Sequence, residues 1–194
     1  FVFGEIPRTL IPFDHQAFRA FPGTILAGVT NADTGKIEYF HPETDDPDFI
    51  LLRATCAIPL FFPVIRYRGG RYFDGGLADP IPIRKAIRDG CAKNLVVLTQ
   101  PEGYQKAPSA WTPRLVRLKY PALSPVLAQR HSNYNETVRF CEQQQCAGAA
   151  VLLRPAASVV VSRFERDLTK LDALYDAGYR DTLARLDEIR ALFT

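Results

Sequence analysis

One carboxylate stands out among the residues able to do chemistry. Asp74 follows the aromatic pair Tyr72-Phe73 and precedes Gly75-Gly76 in the stretch Arg71-Tyr72-Phe73-Asp74-Gly75-Gly76-Leu77-Ala78-Asp79-Pro80. Two aromatics read as the end of a strand. Two glycines permit a sharp turn and let a second backbone come close. Asp74 therefore falls at the carboxyl end of a strand, where open α/β sheets usually build their sites. Alone, the tripeptide Asp-Gly-Gly also fits a plain turn in which the aspartate caps backbone N–H groups. Asp79, followed by Pro80, reads as a cap or turn former.

The remaining inventory is sparse. The chain contains no Gly-x-Ser-x-Gly nucleophile elbow, no Gly-x-x-x-x-Gly-Lys phosphate loop and no Gly-x-Gly-x-x-Gly fingerprint. His15, His41 and His131 lie in unrelated contexts that read as surface or loop. Cys56, Cys91, Cys141 and Cys146 show no C-x-x-C pairing, so neither a zinc site nor a disulfide framework is indicated. Free thiols fit a reducing, cytoplasmic compartment. With 194 residues, 47% hydrophobic and 23% charged, the chain is long enough for one globular domain. A net charge of +3 is too mild to imply nucleic acid, although it suits an anionic surface. No apolar run approaches the length of a membrane span.

The elements that would position Asp74 follow from periodicity and turn chemistry. Residues 14–21 suggest a short helix. Residues 24–30 and 36–40 read as two strands joined by the turn Asn31-Ala32-Asp33-Thr34-Gly35. Asp46-Pro47 reads as a helix start with an apolar face of Phe49, Leu52 and Cys56, ended by Pro59. Residues 60–67 read as an edge strand interrupted by Pro63, and Gly69-Gly70 as a hairpin turn into residues 71–73. Residues 82–88 form a helix closed by Gly90. Leu95-Val96-Val97-Leu98 has the continuous apolar character of a strand buried on both faces of a parallel sheet. Trp111 to Tyr120 reads as a solvated basic helix face over the core, with a membrane-facing segment as the alternative. A long helix opens at Ser124-Pro125, and residues 149–153 form another buried strand, with 159–161 as a further candidate. Two helices end the chain, separated at Gly178. Strands alternating with helices indicate an α/β fold.

Two stretches carry a family resemblance. The first is Arg53-Ala54-Thr55-Cys56-Ala57-Ile58-Pro59-Leu60-Phe61-Phe62-Pro63, and the second is Tyr72 to Pro82. Together with the Val29–Gly35 hairpin, the Leu95–Thr99 strand and the ending Leu174-Tyr175-Asp176-Ala177-Gly178-Tyr179, they resemble bacterial patatin-like phospholipases over most of the chain. Thr55 and Cys56 stand where that family commonly has small serines.

The resemblance implies a three-layer α/β domain with a mostly parallel central sheet and helices on both faces. Residues 1–194 would form its C-terminal part, with the N-terminal half lying upstream. It also implies a serine-dependent lipid acyl hydrolase, a phospholipase or esterase, that uses a Ser-Asp dyad without histidine. Asp74 takes the general-base role, supported by Gly75 and Gly76, and the nucleophilic serine lies upstream. Phospholipid or another acyl-ester lipid is the implied partner, reached by peripheral membrane contact. No cofactor, metal or nucleic acid is implied. The alternatives are a non-catalytic patatin-like module that binds lipid or protein, and a nucleotide-binding α/β module, against which the missing phosphate loop argues. Lacking the family's nucleophilic serine and oxyanion donors, the 194-residue chain by itself is expected to turn over no ester.

Overall fold

The computed structural model describes residues 2–42, 48–156, 161 and 165–194. The proposed helix start at Asp46-Pro47 and most of the candidate strand at 159–161 lie outside the described residues. The chain gathers into two compact units. One is Phe1–Pro80 with Ala107–Tyr134, and the other is Ile81–Lys106 with Asn135–Thr194.

The first unit is built on an antiparallel sheet. Its strands are β1 (Ala27–Asn31), β2 (Ile37–Phe40), β3 (Ile65–Tyr67) and β4 (Gly70–Asp74), in the order β2-β1-β4-β3. Asn31 makes the first hairpin: its Oδ1 accepts the N–H groups of Asp33 at 2.9 Å and Thr34 at 3.1 Å. In the second hairpin Arg68 and Gly69 hold the central positions, with φ of 45° and 82°, and Gly70 already pairs with Tyr67. The turn thus sits one residue earlier than Gly69-Gly70 suggested. Two positive φ values in sequence match the right-handed twist of the flanking strands.

Alternation along β4 sends Tyr72 and Phe73 to opposite faces. Tyr72 joins Val29, Tyr67 and two residues of helix α2 (Ile50–Thr55), Leu51 and Ala54. Phe73 joins Ala57, Val116, Tyr120, Leu123 and Leu127. Here Val116 comes from α4 (Thr112–Arg117), and Leu123 and Leu127 from α5 (Leu123–Cys146). The sheet of this unit is therefore covered on both faces. α2 buries Leu51 and Ala54 rather than Phe49, Leu52 and Cys56, because the helix begins only at Ile50, with Phe49 as a left-handed cap. Residues 60–62 form an exposed turn rather than a strand. α1 (His15–Ala20) forms where a short helix was expected, and Asp14 caps it, its Oδ1 accepting Ala17 N–H at 2.8 Å. Within α4, Val116 is fully buried while Leu115 is exposed, as is Leu118 at its C-terminal cap.

The second unit contains the parallel pair β5 (Asn94–Val97) and β6 (Ala150–Leu153), with Asn94 opposite Ala150 and Val97 opposite Leu153. All four residues of β6 are buried. β5 is not buried on both faces, since Leu95 and Val97 are exposed. The same unit holds α3 (Ile83–Arg88), α6 (Leu168–Ala184) and α7 (Leu186–Phe193). α6 runs straight through Gly178, and the break falls at Arg185 instead. Arg185 donates Nε and Nη2 to Glu188 at 2.8 and 2.6 Å and Nη1 to the carbonyl of Leu152, tying that break to β6.

The mostly parallel central sheet is thus corrected. Among the described residues the largest sheet is antiparallel, and parallel pairing is confined to β5 and β6. β1 and β2 are joined by a tight turn, as are β3 and β4, and such short connections permit only antiparallel neighbours.

A polar cluster on the sheet yields a pH test. Glu38 accepts Tyr72 O–H at 2.8 Å and Asn31 Nδ2–H at 2.8 Å. Burial, reinforced by the Glu38 carboxylate, pushes the Tyr72 phenol up to about 12. A raised folded-state value favours the neutral phenol. That stabilisation is complete below the unfolded value of about 10 and is lost as pH climbs from there to about 12. Tyr72→Phe lacks this loss. The stability difference between wild type and variant, read from urea midpoints, should therefore narrow between pH 9 and 12. A difference that stays constant over that range contradicts the assignment.

Candidate active site

Asp74 ends β4 opposite Val29 of β1. Its backbone N–H donates to Ala57 C=O at 2.8 Å, and its C=O accepts the Thr30 hydroxyl at 2.8 Å. Its Oδ1 accepts Gly76 N–H at 2.8 Å. The carboxylate is half-buried at the head of a single 3₁₀ turn, Gly75–Leu77. Main chain and side chain are thus both fixed, which is what a proton acceptor of defined direction requires.

Both glycines are explained by close approach. A Cβ on residue 75 would lie 2.3 Å from the Gly28 carbonyl oxygen and 2.6 Å from its carbon. That carbonyl is held from the other side by the Thr55 hydroxyl at 2.7 Å. A Cβ on residue 76 would lie 3.2 Å from Asp74 Oδ1, so any side chain there crowds the carboxylate. Gly76 C=O in turn accepts Arg130 Nε–H at 2.9 Å.

Asp79 does not cap a helix. Its Oδ2 accepts the Tyr39 hydroxyl, and α3 begins after Pro82 with no side-chain cap. Cys56 is exposed, and its thiol is pushed up by desolvation and by the nearby Asp74 charge. Both effects favour the neutral thiol over the thiolate.

The histidines are dispersed. His15 packs edge-on to Phe13 with ring centres 4.9 Å apart and lines an apolar cavity of about 230 Å³ with Phe18, Phe49 and Leu52. His41 is exposed just past β2. His131 lies within α5 rather than in a loop, its Nδ1 buried without a hydrogen-bond partner.

Among the described residues no group of three or more histidine, cysteine or acidic side chains is arranged to hold a metal. No helix among them is long and apolar enough to cross a membrane.

The sequence reading found Asp74, Gly75 and Gly76, and the structure joins them in one turn. It missed Thr30, Thr55, Ala57 and Arg130 as the groups that hold this turn. Their bonds span 17 to 54 residues of sequence and leave no local mark.

Residues 4–87 match the family model of patatin-like phospholipases. The match takes in α2, the β3–β4 hairpin and Asp74. It lies in the N-terminal part of this chain, where a match over most of the chain, as the C-terminal half of such a domain, had been expected. Residues 120–194 match a different model, a domain of unknown function (DUF6363). The chain is also 34% identical over 98 residues to the uncharacterized protein YjjU of Escherichia coli (strain K12). That alignment covers 48% of this chain and 27% of YjjU.

Two variants test the turn. Gly75→Ala should cost about 1–3 kcal/mol, because the atoms it meets are backbone and cannot move aside cheaply. A melting temperature equal to wild type would show the Gly28 contact to be looser than described. Asp74→Asn removes the charge that raises the Cys56 thiol. Iodoacetamide labelling of Cys56 at pH 8 should then speed up by about twofold or more relative to Cys91, which serves as the internal standard. An unchanged ratio would mean the two groups do not interact.

Proposed function

We propose that Asp74 is the general base of a serine-dependent acyl-ester hydrolase acting on lipids, and that the serine is supplied by protein outside these 194 residues. The observation that carries this reading is the pinning of Asp74: three backbone-directed hydrogen bonds fix a half-buried carboxylate ahead of Gly75-Gly76. The patatin-like match over residues 4–87 supports the class of substrate.

The chemistry follows from the groups. The serine hydroxyl transfers its proton to Asp74 as its oxygen bonds to the ester carbonyl. The tetrahedral adduct collapses, the C–O bond to the alcohol breaks, and Asp74 returns the proton to the departing oxygen. Water then attacks the acyl-serine, again giving its proton to Asp74; the bond from the acyl carbon to the serine oxygen breaks, Asp74 returns the proton to that oxygen, and the fatty acid leaves. No metal or redox group enters these steps. The substrate is a phospholipid or another acyl-ester lipid, met at a membrane surface.

The test uses the full-length protein. Asp74→Asn should lower kcat/KM for a short-chain nitrophenyl ester by about a hundred-fold to ten-thousand-fold, with the melting temperature unchanged. Changing His15, His41 and His131 together to Gln should leave most activity. A dead histidine variant beside an active Asp74→Asn variant removes Asp74 from the base role. If both lose activity while folded, a triad with a histidine becomes the better account.

A further inference from the structure

The second unit has a cavity that the ester chemistry does not use. It lies where β6 ends, a position at which parallel sheets commonly take ligands. Its volume is about 830 Å³, and its lining is mixed in charge, with Arg154 and Arg185 beside Glu102, Glu142, Asp181 and Gln145. That volume suits a small molecule.

The hydrogen-bonding account of these groups is uneven. Arg185 is spent on Glu188 and on the Leu152 carbonyl. Arg154 is different. Its side chain is only 14% exposed, yet among the described residues it makes a single ion pair, Nη2 to Glu142 Oε1 at 2.8 Å. Its other N–H groups are not sealed in the interior, because the one side-chain polar atom both buried and unpartnered among the described residues is His131 Nδ1. Gln145 uses its Oε1 to accept Leu152 N–H at 3.0 Å, which leaves its NH₂ group without a protein acceptor among the described residues. Donors for an anion are therefore present. On the acceptor side Asp181 takes one backbone N–H, from Ala156 at 3.3 Å, and carries the charge to hold a cation, as does Glu102.

We propose that this cavity binds a small zwitterion. Its anionic oxygens meet Arg154 and the Gln145 amide, and its amine meets Asp181 and Glu102. A simple anion would face three carboxylates, and a simple cation would face a guanidinium that only one of them neutralises. A ligand carrying both charges complements both sets, and the fork of Arg154 suits a carboxylate or phosphate. A free amino acid and an amine-bearing phosphate, such as a lipid head group, share this chemistry. The site stands whether or not Asp74 acts as a base, since none of its residues belongs to the unit that carries Asp74.

Calorimetric titration of the intact protein tests this with four probes. Phosphoethanolamine and glycine carry both charges, inorganic phosphate only the negative, and ethanolamine only the positive. At least one zwitterion should bind tenfold or more tightly than phosphate and ethanolamine, and which one does so identifies the source. Arg154→Gln and Asp181→Asn should each weaken that binding at least tenfold with the circular dichroism spectrum unchanged, and Asp74→Asn should leave it as it was. If a variant unfolds, the wild-type ranking of the four probes still decides. The proposal is overturned if phosphate or ethanolamine alone binds as tightly as the zwitterions. It is also overturned if neither zwitterion binds at millimolar concentration, or if folded variants bind like wild type.

Discussion

The carbonyl of Gly28 governs the geometry around Asp74. One side of it accepts the Thr55 hydroxyl, and the other leaves no room for a side chain at residue 75. A half-buried carbonyl crowded by a second backbone is shielded from water, and the threonine hydroxyl satisfies it while leaving the close backbone approach intact. Three elements meet at this point: β1 supplies the carbonyl, the end of α2 the hydroxyl, and the turn after β4 the glycine. The Thr30 hydroxyl, also from β1, adds a further tie, to the Asp74 carbonyl. Slipping β4 by one residue against β1 would turn Asp74 to the opposite face of the sheet.

The same sheet shows how the two cores are divided. Tyr72 and Phe73 are neighbours in sequence, and each anchors a separate apolar cluster, 4% and 0% exposed. Tyr72 brings a hydroxyl into its cluster, and the Glu38 carboxylate accepts it. Glu38 is held in turn by Asn31, the residue whose own Oδ1 builds the β1–β2 turn. A polar network thus links the hairpin to the strand that ends in Asp74. A hydrogen-bonded network of this kind rigidifies the elements it links.

Local chemistry was legible in the sequence, and long-range pairing was not. The Asn31 turn, the short helix near residues 14–21, the opening of α5 near Ser124-Pro125 and the buried strand β6 all follow from signals within a few residues. The antiparallel order β2-β1-β4-β3 depends on partners about 40 residues apart, Thr30 and Phe73 among them, and apolar strands look alike whichever partner they choose. Gly178 reads as a helix stop because a glycine costs about 1 kcal/mol in a helix interior. The 17-residue cooperative helix absorbs that cost, and the chain breaks at Arg185 instead. Leu95-Val96-Val97-Leu98 reads as doubly buried because it is uniformly apolar, yet composition cannot say which side a neighbouring layer covers. Asp74 was legible because an acid before two glycines is rare enough to notice. Thr30, Thr55, Ala57 and Arg130 were not, because a hydroxyl, a carbonyl or a guanidinium that serves one distant backbone group looks like any other.

The Cys56 thiol bears on how Asp74 would act. The Asp74 charge helps to raise the proton affinity of this neighbour. The same field would act on a serine hydroxyl placed beside the carboxylate, favouring the neutral alcohol over the alkoxide. On the proposed mechanism Asp74 therefore cannot work by ionising the serine beforehand. The proton must move as the carbonyl is attacked, when negative charge passes from the serine to the carbonyl oxygen. Rigid placement, which the Gly76 N–H and the Gly28–Gly75 contact supply, then matters more than basicity, because the carboxylate must lie in line with a proton that leaves only during bond formation. The stabilisation of charge falls to donors on the far side of the carbonyl. This division of labour explains why the stretch that holds the base spends its hydrogen bonds on position: its own carboxylate is the negative charge from which the developing oxyanion must be kept apart.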